Sequence, residues 1–318
     1  MGRRNKGLEI DGWLVLDKDL ELTSTAAVNR VRRAFGAKKA GHAGTLDPLA
    51  TGILPIALGE ATRTVAWLME ATKSYIFTIE WGTSTDSQDK EGIVIASSDI
   101  RPNEQAIKNA LIGFIGEIEQ VPPKFSAIKV NGERAYDLAR GGDEFELNAR
   151  KVVLHSARLV GVTANSATIE ATCGKGFYVR ALARDLAQKL GAEGHISALR
   201  RTQVGPFKEA AAITLEKLEK LCIEGTALLH LLPTETALDD IPELAISAED
   251  MFNLRQGRQI MVHPSMMEVL KSKRKPRTIA GQDMSAAVLA TFEGLAVAIG
   301  DVRAGKFQPV RVFNLKPS

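Results

Sequence analysis

The stretch from residue 41 to 63, GHAGTLDPLATGILPIALGEATR, is the most distinctive part of this 318-residue sequence. It places a single carboxylate, Asp47, in a loop of small and turn-forming residues, and Pro48 restricts the backbone immediately after it. The loop leads into an apolar segment, 53–58, that predicts a buried strand. An aspartate before a proline is usually a turn former, so Asp47 alone does not establish a site. The length and density of the pattern nevertheless single out this loop as the candidate site.

Regular secondary structure is predicted on both sides of this loop. Residues 13–16 form a short apolar run typical of a strand, and Thr23 or Ser24 can cap the helix that follows. Farther along, residues 74–81 alternate like a strand, and residues 178–190 place apolar side chains on one helical face. Strands and helices are mixed without a regular β-α-β alternation. This order predicts an α+β fold rather than a doubly wound parallel sheet.

A second, smaller unit is predicted at the C-terminal end of the chain. The acidic stretch 233–242 begins and ends with proline and marks a change in composition. Beyond it, residues 287–313 show three short strand patterns separated by glycine-containing turns, which predicts a compact β module. We therefore divide the chain into two domains, 1–237 and 238–318.

Composition excludes several classes of protein. The sequence is 45% apolar and 25% charged, which is typical of a globular protein and excludes disorder over most of its length. Its net charge of +3 is only mildly basic. Cys173 and Cys222 are the two cysteines, and the five histidines lack HExxH or HxxxH spacing, so we expect neither a disulfide framework nor a metal site. No apolar run is long enough to span a membrane, and we expect a reduced, cytoplasmic protein.

Short motifs farther along the chain carry more information than composition does. Five segments stand out in order: 73–75 (KSY), 82–89 (GTSTDSQD), 122–127 (PPKFSA), 173–180 (CGKGFYVR) and 198–207 (ALRRTQVGPF). Together with the loop around Asp47, they resemble, in the same order, the motifs of the TruB-type tRNA pseudouridine synthases. One block departs from that family, because residues 17–24 read DKDLELTS where the family usually has DKPxGxTS. Asp19 and Glu21 thus replace a proline and a glycine, and we expect these two acids to weaken RNA affinity while the site is retained.

The resemblance implies a fold and a reaction. The fold would be the α+β pseudouridine synthase fold, with a large central, mostly antiparallel sheet and a small C-terminal PUA-like β domain. The reaction would convert uridine 55 in the T loop of tRNA to pseudouridine by base flipping, without a cofactor or a metal. The T arm of tRNA is the expected partner, with no protein partner and a monomeric chain. The basic segment 271–277, KSKRKPR, would help the C-terminal domain to bind RNA.

The resemblance also implies roles for seven residues, four of them closest to the chemistry. Asp47 matches the catalytic aspartate of the family, and Arg180 matches the arginine that pairs with it. Tyr75 is expected to stack on the flipped base and to help remove the proton from C5. Tyr178 is expected to contact Asp47 or the RNA backbone. From pattern alone, Arg180 would be a surface arginine on a helix and either tyrosine a core residue.

Three further residues are expected to bind the substrate. Leu199 would close the uracil pocket, although a plain core leucine fits the same pattern. His42 would fill the space vacated by the flipped base without acting as a general base. Lys18 would contact a phosphate, with a solvated lysine as the alternative.

Two other functions stay open at the level of sequence. The first is an RNA-binding protein that helps tRNA to fold, with catalysis lost or secondary. Such a binder does not need the carboxylate of Asp47, whereas the enzyme does. The second is an RNA glycosidase that excises the base, which free uracil among the products would reveal.

Overall fold

The computed structural model describes residues 7–126, 128–130, 132–141, 143 and 145–315, and the described residues form twenty strands. The predicted domains and the PPKFSA segment also include residues 1–6, Ala127 and 316–318, which lie outside the described residues. The strands are β1 (Gly12–Lys18), β2 (Ala40–His42), β3 (Ala50–Leu58), β4 (Lys73–Trp81), β5 (Thr83–Thr85), β6 (Val94–Ser97), β7 (Gly116–Gln120), β8 (Lys129–Val130), β9 (Glu133–Arg134), β10 (Arg150–Val162), β11 (Ser166–Cys173), β12 (Gly194–Val204), β13 (Phe207–Lys208), β14 (Glu243–Ala245), β15 (Ile260–Met261), β16 (Thr278–Ile279), β17 (Gln282–Asp283), β18 (Ala287–Phe292), β19 (Leu295–Arg303) and β20 (Lys306–Val312).

Eight α-helices and four short 3₁₀ segments complete the described elements. The α-helices are α1 (Ser24–Ala34), α2 (Val65–Glu70), α3 (Glu104–Ile112), α4 (Ala135–Gly141), α5 (Val179–Lys189), α6 (Leu215–Ile223), α7 (Ala248–Arg255) and α8 (Pro264–Ser272). The 3₁₀ segments are Gly59–Arg63, Glu209–Ala211, Ala227–His230 and Thr234–Leu238. No helix in the described part of the chain is long and apolar enough to cross a membrane.

A nine-stranded sheet forms the centre of the molecule. Its main path runs β1-β3-β12-β4-β11-β10-β7, with β2 paired to β3 and β13 paired to β12. Every pairing is antiparallel except that of β3 with β12. The prediction of an α+β fold with a large, mostly antiparallel sheet is therefore confirmed.

Both faces of the central sheet are covered. On one face, helices α1, α3, α5 and α6 contribute to the largest apolar core. On the other face, Trp13, Phe207 and their neighbours pack against Leu68 of α2 and Ala237. Helix α1 begins where the sequence predicts, because the Thr23 side chain accepts a hydrogen bond from the Ala26 N–H and caps it.

The central strand β12 is absent from the sequence-based prediction. Its sequence, GHISALRRTQV, lacks a clean alternation and carries Arg200 and Arg201 in the middle. The strand is nevertheless held on both sides, by β3 and β4, and Arg201 lies on its buried face. Because tertiary pairing overrides local propensity here, single-sequence patterns could not reveal it.

The C-terminal part of the chain forms a second sheet of five strands, β14-β18-β19-β20-β15. Strands β18, β19 and β20 coincide closely with the three strands predicted over residues 287–313. Trp67 of α2 belongs to the core of this unit, and the Arg277 guanidinium lies 5.6 Å from its ring centroid. Arg63 also donates to the Val312 carbonyl over 2.8 Å. Helix α2, which follows β3 and a short 3₁₀ segment, thus packs against both sheets.

Candidate active site

An open cleft of about 580 Å³ lies beside strands β4 and β12 of the central sheet, between the loop around Asp47 and the start of α5. Its volume is in the range of small-molecule and cofactor sites. Five of the seven residues singled out from the sequence line it: Asp47, Tyr75, Tyr178, Arg180 and Leu199. They come from four separate parts of the chain, which only the folded sheet brings together.

The loop that carries Asp47 connects β2 to β3 and is shaped by a glycine at the start of β3. Gly52 has a φ of +97° and faces β12, and a Cβ at this position would lie 2.2 Å from the Arg201 carbonyl oxygen. Only glycine tolerates both that φ and that approach. The Asp47 carbonyl oxygen then accepts a hydrogen bond from the Ala50 N–H over 3.0 Å, which closes the turn.

Asp47 forms an ion pair with Arg180 at the floor of the cleft. Arg180 Nη2 lies 2.8 Å from Asp47 Oδ2. The arginine side chain is only 6% exposed, whereas the aspartate side chain is 38% exposed and faces the cleft. The arrangement therefore presents a negatively charged oxygen atom to any group in the cleft, with a buried guanidinium directly behind it.

Arg180 also connects Asp47 with two other loops. Its Nη2 donates to the Phe125 carbonyl over 2.8 Å, and its Nη1 donates to the Ser87 carbonyl over 2.9 Å. A second carboxylate, that of the buried Asp89, lies 3.4 Å from Nη1. Asp89 is held in turn by the Ser87 hydroxyl, 2.6 Å from its Oδ1. Buried charges are normally paired and hydrogen-bonded in this way.

Side chains from two directions bind the backbone of the loop that carries Asp47. Arg201, only 1% exposed, donates to the carbonyl oxygens of Gly44 and Ile53, over 3.1 and 2.7 Å. From the opposite side, Ser24 bonds both backbone groups of Leu46, accepting from its N–H over 2.9 Å and donating to its carbonyl over 3.0 Å. The loop is therefore fixed on both sides of Asp47.

The turn before α1 also touches this loop. The Glu21 N–H donates to the Pro48 carbonyl over 2.8 Å, and Lys18 Nζ approaches the same oxygen at 3.3 Å. Glu21 adopts a φ of +61°, in the left-handed region that favours glycine. The residue that replaces the family's glycine thus keeps the turn in a conformation suited to glycine.

The pairing of β12 with β4 determines which side chains form one wall of the cleft. In the register of β12 with β4, Arg201 lies opposite Tyr75 and Leu199 lies opposite Phe77. Because side chains alternate along a strand, Leu199, Arg201 and Tyr75 share one face. Burial raises the pKa of the Tyr75 hydroxyl, and the neighbouring Arg201 guanidinium opposes that rise. Tyr75 therefore stays protonated at neutral pH and presents a neutral ring.

Tyr178 is positioned through its backbone. The buried side-chain amide of Gln120 accepts from the Tyr178 N–H over 2.8 Å and donates to its carbonyl over 3.1 Å. The hydroxyl of Tyr178 is itself largely buried, and burial raises its pKa. This residue immediately precedes α5, so Gln120 also helps to fix the helix that carries Arg180.

The other two residues expected to bind substrate lie outside the cleft. His42 lies on β2 opposite Ile56, and burial together with Arg201 lowers its pKa, which keeps its ring neutral at pH 7. Lys18 is fully buried, and its Nζ donates to the carbonyls of Asp19 and Leu22 over 2.8 Å each. Burial lowers the pKa of Lys18 to about 8. The amino group of Lys18 thus lies among backbone carbonyls, and its expected phosphate contact stays a prediction.

Sequence reasoning assigned no role in the site to four residues that shape it: Ser24, Asp89, Gln120 and Arg201. Asp89 lies in the motif 82–89, Arg201 in the motif 198–207 and Ser24 in the block 17–24. Their position within a motif is the sequence feature that could have pointed to them. Gln120 carries no such signal, because a glutamine at the end of a strand looks like any polar edge residue. Among the described residues, no group of three or more histidine, cysteine or carboxylate side chains has the geometry to hold a metal ion.

Comparison with known protein families matches most of the chain. Residues 32–179 match the model described as TruB family pseudouridylate synthase (N terminal domain). Residues 180–239 match the model described as tRNA pseudouridylate synthase B C-terminal domain. The junction between the two matches falls at the start of α5, next to Arg180.

Curated relatives resemble the chain over nearly its whole length. A protein named tRNA pseudouridine synthase B from Caulobacter vibrioides is 56% identical over 316 residues, covering 99% of this chain and 100% of that protein. One of the same name from Ruegeria sp. is 50% identical, covering 99% of each.

Solved structures show the same fold. A chain from a crystal structure of a Cbf5-Nop10-Gar1 complex superposes with a TM-score of 0.70 at 25% identity, over 95% of this chain and 84% of that one. By its sequence, its fold and the matched models, this chain belongs to the TruB family of pseudouridylate synthases.

Proposed function

We propose that this chain isomerises uridine 55 in the T loop of tRNA to pseudouridine, with Asp47 as the catalytic carboxylate. The observation that carries the proposal is the ion pair of Asp47 with the buried Arg180 at the floor of an open cleft. The names of the relatives support tRNA as the substrate, because both proteins compared above are called tRNA pseudouridine synthase B. The T arm of tRNA is thus the partner that we infer.

The reaction is an isomerisation, so its atoms balance within the nucleotide. The bond from N1 of uracil to C1′ of the ribose breaks, the base turns, and C5 bonds to C1′. The proton on C5 is then lost and N1 gains one. A carboxylate beside C1′ acts in such chemistry by covalent attack, by taking a proton or by stabilising positive charge on the sugar, as in glycosidases. Asp47 supplies this group, and the reaction has no step that needs a cofactor.

The cleft residues around Asp47 suit a flipped base. Extruding a base from its stack costs a few kcal/mol, and stacking on an aromatic ring recovers about 1–3 kcal/mol. Tyr75 provides that ring, and Leu199 on the adjacent strand provides an apolar contact. We also assign Tyr75 a part in removal of the C5 proton. Tyr178 would contact Asp47 or the RNA backbone, and His42 would occupy the space left by the base.

We assign RNA binding away from the cleft to the C-terminal domain, 238–318, and catalysis to residues 1–237. The predicted basic segment 271–277 begins in the last turn of α8 and continues as an exposed loop. Lys271 and Arg277 of this segment pair with Glu268 and Asp240. The remaining basic residues can contribute sequence-independent contacts to phosphates. A monomeric, cytoplasmic enzyme without a protein partner stays our prediction.

A second candidate is an RNA-binding protein that promotes tRNA folding. It shares the cleft and the basic segment but does not require Asp47 to be ionised or paired. A third, base excision, shares the carboxylate but ends with release of uracil. Product analysis distinguishes both candidates from isomerisation. The binding protein would form no pseudouridine, and the excising enzyme would release uracil.

The test is to incubate an unmodified tRNA transcript with the protein in the presence of a chelator and to map pseudouridine by mass spectrometry. We expect modification at position 55 by the wild-type protein. Asp47→Asn should bind the transcript with an affinity within about threefold of wild type yet lose turnover by at least about 10³-fold, since the group acting at C1′ is removed. Turnover by this variant near the wild-type rate would remove Asp47 from the catalytic role. Free uracil would indicate excision instead.

A further inference from the structure

Ser24 makes an unusual pair of contacts for a helix residue. It is the first residue of α1 and only 3% exposed, and its hydroxyl both donates to the Leu46 carbonyl and accepts from the Leu46 N–H. The helix does not need this hydroxyl, because the neighbouring Thr23 provides the N-cap. Serine is also a weaker helix former than alanine. The side chain of Ser24 therefore serves the loop rather than the helix.

Leu46 is the residue immediately before Asp47. Its side chain is buried in the main core, as is that of Leu49 two residues after Asp47. Its N–H and carbonyl are therefore polar groups at the edge of an apolar core, where an unpaired group is costly. Ser24 satisfies both at once. The backbone torsions between Leu46 and Asp47 set the direction of the carboxylate, so the Ser24 contact fixes that direction.

We propose that Ser24 is a positioning residue for the isomerisation, which holds the Asp47 carboxylate in line with the cleft through the backbone of Leu46. This inference rests on the proposed catalytic role of Asp47. Ser24 does not contact the cleft, since it is absent from the residues that line it in the described part of the chain. Its removal thus changes neither the charge nor the surface of the site, and any effect on the reaction acts through geometry.

This role differs from those of the charged residues nearby. Arg201 and Lys18 also bond carbonyls of the loop, but each brings a positive charge to it. Replacing either one changes electrostatics and position together. Ser24 is neutral and isolates the positional effect. A misplacement of about 1 Å at a reacting group can cost about 100-fold in rate.

The test compares Ser24→Ala with Thr23→Ala in single-turnover and steady-state assays on the tRNA transcript. The two variants remove neighbouring hydroxyls from the same helix end, and Thr23→Ala loses only the cap. We expect Ser24→Ala to lower kcat by about 10- to 100-fold while KM changes less than about threefold. Thr23→Ala should lower Tm by roughly 2–4 °C and leave kcat within about twofold. A kcat of Ser24→Ala within twofold of wild type would overturn the proposal, as would an equal loss in both variants.

A second variant covers the case in which Ser24→Ala does not fold. Ser24→Cys keeps the size of the side chain but weakens both hydrogen bonds, because a thiol is a weak donor and acceptor. It should lower kcat by at least about fivefold, again with little change in KM, and a wild-type kcat would overturn the proposal. The wild-type protein serves as the reference for the proposed function itself. If it forms no pseudouridine at position 55, the proposed function fails before any Ser24 variant is considered.

Discussion

Two buried arginines contact the loop that carries Asp47, and they are held in different ways. Arg180 is paired with the carboxylates of Asp47 and Asp89, at 2.8 and 3.4 Å. Arg201 donates to backbone carbonyls of Gly44, Thr45 and Ile53, and no carboxylate of the described residues lies within ion-pair distance of it. The charge of Arg180 is thus neutralised by carboxylates, whereas Arg201 is stabilised by carbonyl dipoles.

The difference separates two functions that a buried cation can serve. A guanidinium between carboxylates sets the electrostatics of the carboxylate that we propose to be catalytic. A guanidinium among carbonyls fixes the shape of the loop that carries this group, because the planar fork bonds several oxygen atoms at once. The cleft uses one arginine for each purpose. Substitutions of Arg180 and of Arg201 should therefore differ in their effects on stability and on kcat.

The largest effect is expected at Arg180. Arg180→Met leaves the buried carboxylate of Asp89 unpaired and should lower the free energy of unfolding by about 3–5 kcal/mol. It should also lower kcat by at least about 100-fold, since Asp47 loses its partner and its position. Adding Asp89→Asn removes the unpaired charge and should restore much of the stability but not the rate. Urea unfolding and turnover on the tRNA transcript measure the two effects separately.

Recovery of both stability and rate in the double variant would contradict this distinction. It would mean that Asp89, rather than Asp47, is the main electrostatic partner of Arg180. Asp89→Asn alone provides the control, because it removes one carboxylate while the 2.8 Å pair with Asp47 is kept.

A smaller effect on rate is expected at Arg201. Arg201→Lys keeps the charge but loses the fork, and hydrogen bonds to charged groups contribute about 1.5–3 kcal/mol each. We expect a loss of about 2–4 kcal/mol in unfolding free energy and about a tenfold loss in kcat. Arg200→Lys on the same strand is the matched control. Its partners Asp17 and Glu209 are partly exposed, so its loss should be below about 1 kcal/mol. Equal losses at both positions would refute a special role for Arg201.

The smallest effect is expected at Glu21, in the turn that touches Pro48. Glu21→Gly relieves the left-handed backbone and should raise the free energy of unfolding by about 0.5–1 kcal/mol. Glu21→Ala removes the same charge but keeps the unfavourable φ, so it should not stabilise the protein. Both variants should bind tRNA slightly more tightly, by less than about threefold, because one acid is removed from the surface expected to face the RNA. Stabilisation by alanine as well would show that charge, not backbone conformation, is the cause.

Some of this architecture was predictable from sequence, for identifiable reasons. Strands β18 to β20 are short segments separated by glycine-containing turns, and α1 has a capping threonine, so local patterns located them. Strand β12 was missed because its arginines look solvent-exposed until β3 and β4 enclose them. The residues lining the cleft were found through motif resemblance, since no local period relates Asp47 to Arg180. The burial of Lys18 was missed because three carbonyl contacts leave no mark in the sequence.

Because α2 packs against both sheets, the distance between the cleft and the C-terminal sheet is fixed. Trp67 is anchored in the C-terminal core, and α2 follows almost directly from the strand that leaves the Asp47 loop. The distance from the carboxylate to the exposed lysines beyond α8 is therefore set by packing rather than by a flexible linker. If RNA binds at both places, as we propose, its own fold must hold a run of phosphates at that separation from the nucleotide in the cleft. Under the proposed function, this spacing would select substrates by their dimensions before any base is identified.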